Sequence, residues 1–232
     1  MSRVKQLRRK LGVLYWKLNS KVKTWCYYWK KNWRRRAAWI RGWFYTSKIP
    51  TTEAMKIQHL LVCAHPDDET IFFSSFLKKE RPFVICVSNR GHKVRREEFY
   101  KALAYWGVEG TMLNFPDVPG ITFIWRWRMA AKLKRTSKKL SSVVTVYTHS
   151  ASGESGHPHH YAVSNGVTKA FKGCRIITTA VSIPANGDGR LTETDVEEKY
   201  SIIKNCYPSQ INMLERWCPW WQNYLTTEYF EE

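Results

Sequence analysis

The sequence predicts an α/β fold: a Rossmann-like, mostly parallel sheet with helices on both faces, preceded by a basic amphipathic helical segment. Three observations predict it. From residue 56 onward, short apolar runs alternate with longer stretches of helical spacing, the pattern of strands connected by crossover helices. Two clusters, one of His and Asp and one of His, each follow a strand-like run, where an open α/β sheet places its ligands. The chain has 232 residues and a net charge of +19, but residues 1–50 hold 15 Lys/Arg and no acidic residue. That leaves 23 basic against 19 acidic in residues 51–232, an ordinary mildly basic domain behind a strongly basic arm.

In the arm, Val4, Leu7, Leu11, Leu14, Leu18, Val22, Trp25, Trp29 and Trp33 fall three or four apart with Lys and Arg between them, the stripe of an amphipathic helix that Ile49-Pro50 would stop. Six tryptophans lie in these fifty residues. A basic helix with an aromatic face suits an anionic membrane surface. The same ingredients serve packing on a partner protein, or nucleic acid through phosphate neutralisation and stacking. Membrane surface ranks first of the three and nucleic acid last, because the aromatic share is high for the charge. The domain division is therefore 1–50 and 51–232.

The body reads in order as follows. Ile57–Ala64 is a strand, 69–79 a helix, Phe83–Val87 a strand and Val94–Trp106 a helix. Met112–Phe115 is a short strand, 123–140 a basic helix, Val143–Tyr147 a strand, His160–Phe171 a helix and Ile176–Val181 a strand. Asn186-Gly187-Asp188-Gly189 marks a turn. The aromatic cluster Trp217-Cys218-Pro219-Trp220-Trp221 is a core lid or a contact surface.

Six cysteines show no C-x-x-C pair and no regular spacing, which favours a reducing compartment with free thiols. The N-terminus lacks the apolar core of a secretory signal. No stretch approaches the ~20 apolar residues needed to cross a bilayer. The expected location is cytoplasmic, free or peripheral on a membrane surface.

The chemistry concentrates in His65-Pro66-Asp67-Asp68-Glu69 and Gly156-His157-Pro158-His159-His160. An H-x-D-D run alone could be a helix cap, with its carboxylates favoured near the positive helix end. Capping predicts nothing about residues 156–160. His65 and Asp68 with His160 make a two-His, one-carboxylate set that leaves positions open for water and substrate. A metal held there acidifies water and polarises a carbonyl. Asp67 could then accept the proton, and His157 could act as general acid or polarise the developing oxyanion. His59, His92 and His149 have no such neighbours in sequence and read as surface or strand-packing histidines. Arg95 could belong to a solvated basic stretch, and Asp117 could only start a turn.

These residues carry a resemblance. Ala64-His65-Pro66-Asp67-Asp68-Glu69, with Ser155-Gly156-His157-Pro158-His159-His160, resembles the LmbE-like/PIG-L family of metal-dependent de-N-acetylases. The likeness spans roughly residues 57–185 and includes Arg95, Glu98, Ala102, Gly107 and Phe115-Pro116-Asp117. It implies that His65, Asp68 and His160 hold Zn2+ or Fe2+, that Asp67 is the general base, and that His157 stabilises the tetrahedral intermediate. It also implies that Arg95 and Asp117 contact an N-acetylated sugar conjugate of the N-acetylglucosamine type. Three departures stand out. His159 replaces the usual Asp or Asn, which bears on the pKa of His157. His149-Ser150 replaces a Phe-Asp pair frequent in eukaryotic-type members. The basic loop Ser88–His92 could admit a charged or phosphate-bearing substrate. Two other readings stay open beside the deacetylase: the same hydrolysis on a nucleic-acid-linked amide, and a non-catalytic adaptor with a vestigial site.

Overall fold

A computed structural model describes residues 57–231 apart from 116, 118–121, 139, 141, 181–188 and 218–220, together with Trp33 and Ala37. Apart from Trp33 and Ala37, the expected helix over 1–50 lies outside the described residues, as do the Asn186-Gly187-Asp188 part of the expected turn and the middle of the tryptophan cluster.

Six strands form one sheet in the order β3-β2-β1-β4-β5-β6. They are β1 (His59–Cys63), β2 (Phe83–Ser88), β3 (Gly110–Phe115), β4 (Thr145–Thr148), β5 (Arg175–Thr179) and β6 (Phe230–Glu231). The first five run parallel, and β6 closes the edge antiparallel to β5 through Thr178↔Glu231 and Thr179↔Phe230. Between them run α1 (Asp68–Glu80), α2 (Lys93–Trp106), α3 (Thr122–Ser137) and α4 (Pro158–Ala170). Each matches an expected element to within three residues at either end, as Rossmann-like winding requires.

The central strand shows why this sequence takes this fold. Side chains alternate across a strand. Leu61 and Cys63 of β1 join a core with Phe72, Phe73, Phe99 and Leu103 from α1 and α2. Leu60, Val62 and Ala64 join a separate core with Met129, Leu133, Ala162, Val163 and Val167 from α3 and α4. Leu60 through Ala64 are all 0% exposed, so from Leu60 onward the run is apolar rather than alternating, as a sheet covered on both faces demands. Truncating Leu60 or Leu61 to Ala should cost about 2–5 kcal/mol.

Beyond β5 the structure holds elements that the sequence periodicity does not show. α5 (Glu193–Cys206), α6 (Pro208–Trp217) and α7 (Trp221–Thr226) fold back over α1 and α2, and β6 follows them to the edge of the sheet. α5 hides its helical stripe because Lys199 occupies a position on the buried side, 0% exposed, where an apolar residue is expected. Its ammonium is held by Glu228, at 2.7 Å, and by the Tyr224 carbonyl. Among the described residues no helix is long and apolar enough to cross a membrane, and Cys63, Cys86, Cys174 and Cys206 are free thiols.

The strand order fixes where a ligand can sit. The chain winds outward from β1 to β3 and then returns to β4 on the other side of β1. The crevice beyond the carboxyl ends of β1 and β4 is thus the switch point of the sheet, the preferred ligand position in open α/β folds.

Candidate active site

The segment after β1 turns sharply into α1. Asp67 takes φ 108°, a conformation that costs a non-glycine residue about 1–3 kcal/mol and persists only where its surroundings impose it. Those surroundings are specific. The Asp67 N–H donates to Glu69 Oε2 at 3.0 Å, and the Pro66 carbonyl accepts from the Arg95 guanidinium. Arg95 also pairs with the Asp67 carboxylate at 3.1 Å and with Glu98 at 3.1 Å. Glu69, fully buried, accepts from the hydroxyls of Tyr207 and Thr70. The helix start accounts for the acidic run only in part: Asp68 and Glu69 sit in the first turn of α1, but the Asp67 side chain makes no capping hydrogen bond.

After β4, a 3-10 turn over Glu154–Gly156 leads into α4, with His157 as its cap and Pro158 in the first turn. Entry from the neighbouring strand carries His157, His159 and His160 against the β1 segment. Asp68 Oδ2 lies 3.3 Å from His65 Nδ1 and 3.5 Å from His160 Nε2. Ligand atoms of His65, Asp68 and His160 all fall within 4.8 Å of one another. Four ligands at about 2.0–2.1 Å around a tetrahedral ion stand about 3.3–3.4 Å apart, so these spacings and the N, N, O donor set fit a divalent ion such as zinc.

The remaining residues surround that set. His65 Nε2 and His159 Nδ1 are 2.9 Å apart, and Asp117 Oδ1 stands 3.7 Å from each of these nitrogens. Asp117 also accepts from the Asn89 amide at 3.3 Å. A cavity of ≈ 530 Å³ opens over the cluster, lined on one side by Asn89, His92, Arg95 and Asp117 and on the other by Ser209, Gln210, Met213 and Leu214 of α6. That volume suits a small ligand.

Electrostatics separates the groups by role. Burial pushes the Asp67 carboxyl up to about 6, against the pull of Arg95. Burial acts on Asp68 too, but His160 and His65 overcome it and hold the carboxyl well below its usual range. Burial, then the charges of His160 and His65, lowers His157 to about 3; burial and His65 lower His159 to about 4. Both are neutral near pH 7. His157 Nδ1 accepts the His159 backbone N–H at 3.3 Å, so the ring proton of His157 sits on Nε2.

All seven expected site residues meet in this one crevice: His65, Asp67, Asp68, Arg95, Asp117, His157 and His160. Two histidines depart from expectation. His92 lines the cavity, and its Nδ1 caps α2 by accepting the Arg95 N–H. His149 is not a strand-packing residue: it is 0% exposed inside the cluster, with Nδ1 2.8 Å from Glu154 Oε2 and Nε2 3.3 Å from Asp68. Burial opposes its charge, yet Glu154 and Asp68 raise it to about 9. The same Nε2 stands 3.0 Å from the Ala64 N–H, a contact that the neutral ring accepts and the protonated ring gives up for Asp68. His59 does pack as expected, edge-on to Phe76. Glu154 was not foreseen at all. Its one signal in sequence is a lone carboxylate between Gly153 and Gly156, just ahead of the histidines.

Fold and cluster together define a class: an α/β domain with converging His and Asp side chains at the switch point of its sheet. The profile of the PIG-L family, described as GlcNAc-PI de-N-acetylase, matches residues 60–171. Those residues form a PIG-L (LmbE-like) family domain. A probable N-acetylglucosaminyl-phosphatidylinositol de-N-acetylase of Dictyostelium discoideum is 31% identical over 134 residues, 51% of each chain. The N-acetylglucosaminyl-phosphatidylinositol de-N-acetylase of Bos taurus is 28% identical over 141 residues, 51% of this chain and 54% of the relative. The chain thus matches about half the length of these relatives. Among solved structures, the A40926 pseudoaglycone deacetylase Dbv21 superposes with a TM-score of 0.58 at 16% identity, over 76% of this chain and 96% of the other. The N,N'-diacetylchitobiose deacetylase of Pyrococcus horikoshii gives 0.54 at 17% identity, over 78% and 85%. These two likenesses bear on the fold, which they share.

Proposed function

We propose that the chain is a metal-dependent hydrolase that removes the acetyl group from the 2-acetamido nitrogen of an N-acetylglucosamine-type conjugate. The observation that carries this reading is the Asp68 Oδ2 atom with two imidazole nitrogens at 3.3 and 3.5 Å, beside a strained and buried Asp67. His65, Asp68 and His160 would hold the ion, Zn2+ or Fe2+. When bound, it supplies Lewis-acid chemistry, polarising a carbonyl and acidifying water.

The chain's own residues supply the rest. Asp67, kept in place by Arg95 and by the Glu69 contact to its N–H, takes the proton of the attacking water and passes it to the departing amine. Its pKa near 6 matches that exchange, close to neutrality but ionised at pH 7. His157 is neutral with its proton on Nε2, so it can donate a hydrogen bond to the oxygen that becomes negative. Asp117 and Asn89 on the cavity wall offer an acceptor and a donor to sugar hydroxyls, and Arg95 acts from behind Asp67.

The names of the Dictyostelium discoideum and Bos taurus relatives, de-N-acetylases of N-acetylglucosaminyl-phosphatidylinositol, support an amidohydrolase acting on a sugar. Residues 1–50, with 15 cations and no acid, fit an arm that meets an anionic membrane surface and brings residues 51–232 to a lipid-linked substrate. Acetate release from N-acetylglucosaminyl-phosphatidylinositol, N,N'-diacetylchitobiose and soluble N-acetylglucosamine conjugates tests the chemistry. Release by metal-loaded protein that Asp67→Asn abolishes is expected. No release from any of them, or equal release by the variant, contradicts the reading. Sedimentation with anionic but not neutral vesicles is the expected behaviour of the arm, and preferential, salt-sensitive RNA or DNA binding would overturn that part.

A further inference from the structure

The loop between β4 and α4 departs from the PIG-L pattern in a coordinated way. Position 150, where a Phe-Asp pair would place a carboxylate, is Ser150. A carboxylate nevertheless reaches that neighbourhood from four residues further on: Glu154 Oε1 accepts the Ser150 N–H at 3.0 Å and the Thr179 hydroxyl. The turn that tucks it inward depends on Gly153, at φ 71°, where a Cβ would lie 2.6 Å from the His157 carbonyl oxygen.

The other oxygen does something different. Glu154 Oε2 lies 2.6 Å from His160 Nδ1 and 2.8 Å from His149 Nδ1, and the two rings stack with centroids 3.9 Å apart at 15°. An ionised carboxylate only accepts, so each imidazole carries its proton on the nitrogen that faces it. His160 is left with Nε2 toward Asp68, at 3.5 Å. His149 replaces Phe in the same pattern and reaches Asp68 Oδ2, at 3.3 Å, from the far side. The side chain of Glu154 is 0% exposed, so no solvent competes for these contacts.

We propose that Glu154 is a positioning residue of the metal site, fixing His160 with Nδ1 protonated and Nε2 presented to the ion, and that His149 braces the same carboxylate against Asp68. The proposal rests on the reading that His65, Asp68 and His160 hold a divalent ion. Such outer partners of a ligating histidine set its tautomer and basicity, and their loss weakens metal binding about 10–100-fold.

The test is Co2+ binding to the full chain, followed by the visible ligand-field bands and by competition with Zn2+, in wild type, Glu154→Gln, Thr179→Val and His149→Phe. Wild type should bind one ion. Glu154→Gln should bind it about 10–100-fold more weakly with displaced bands, whereas Thr179→Val, which leaves both imidazoles on Oε2, should stay within about threefold of wild type. Wild-type affinity and bands in Glu154→Gln would overturn the proposal, as would equal weakening by Thr179→Val, the mark of a merely structural role. If circular dichroism shows the Gln variant unfolded, His149→Phe decides: weaker binding supports the proposal and unchanged binding overturns it. Wild type that binds no ion would sink the metal reading itself, a result distinct from a bound ion indifferent to Glu154.

Discussion

Two polar networks are buried in this domain, and they are built on opposite plans. Under α1, Glu228 accepts the backbone N–H groups and hydroxyls of Ser74 and Ser75 and the ammonium of Lys199, which also donates to the Tyr224 carbonyl. One cation, one anion and four further donors close on themselves. At the switch point, by contrast, imidazole nitrogens converge on one carboxylate. Asp68 Oδ2 faces nitrogens of His65, His149 and His160, while two ring nitrogens, of His65 and His159, stand 2.9 Å apart. A network of paired partners fastens the C-terminal segment to α1. A network of imidazole nitrogens gathered on one carboxylate oxygen has the donor set that a divalent cation takes.

The sharpest way to break the comparison is to remove a group that the converging network uses for chemistry alone. Asp67→Asn should lower kcat by about 10²–10⁴-fold while metal content, read by elemental analysis, stays at that of wild type. A variant that loses its metal would instead make Asp67 part of the ion's scaffold. In the closed network, Lys199→Met leaves Glu228 as a buried unpaired anion and should cost about 3–5 kcal/mol in denaturant unfolding, with metal affinity unchanged. Loss of metal on this substitution would show that the two networks are not separable.

Arg95 touches the converging network from outside, and its effect should be smaller. Its charge draws the Asp67 pKa down from where burial alone would put it. Because the base works only when ionised, kcat/KM should fall as pH drops through about 6. Arg95→Met should move that acid limb up by about two pH units and lower kcat/KM about tenfold at pH 7, where a carboxyl with pKa about 8 is only about one-tenth ionised. A limb that stays in place would remove Arg95 from the control of Asp67. The smallest effect belongs to His159, already neutral. His159→Asn should change kcat/KM by less than about tenfold, because it trades one uncharged hydrogen-bonding group for another.

The contrast also explains what was legible in the sequence. Paired strands and helices show as periodic runs, so the order of elements through β5 follows from residues such as Leu60–Ala64 and Phe83–Val87. The converging cluster is legible too, because most of its His and Asp residues sit in two short dense segments. What stayed hidden are residues whose partners are distant and whose own neighbourhood is unremarkable. Lys199 breaks the apolar stripe of α5, and its reason, Glu228, is 29 residues away. His149 ends a strand-like run and becomes part of the site only because β4 lies next to β1. Glu154, in a loop without periodicity, is recognised only once the fold returns it to His160.

The central claim is that the converging atoms of His65, Asp68 and His160 hold one divalent ion and that amide hydrolysis depends on it. The most direct measurement is metal content per chain, set beside acetate release from N-acetylglucosaminyl-phosphatidylinositol, for wild type, chelator-stripped and re-supplied protein, and for Asp68→Ala. The expected result is one ion per chain in wild type, loss of ion and activity together on stripping, recovery of both on re-supply, and neither in Asp68→Ala. Acetate release that survives complete removal of the ion, or an ion retained in Asp68→Ala, would contradict the account.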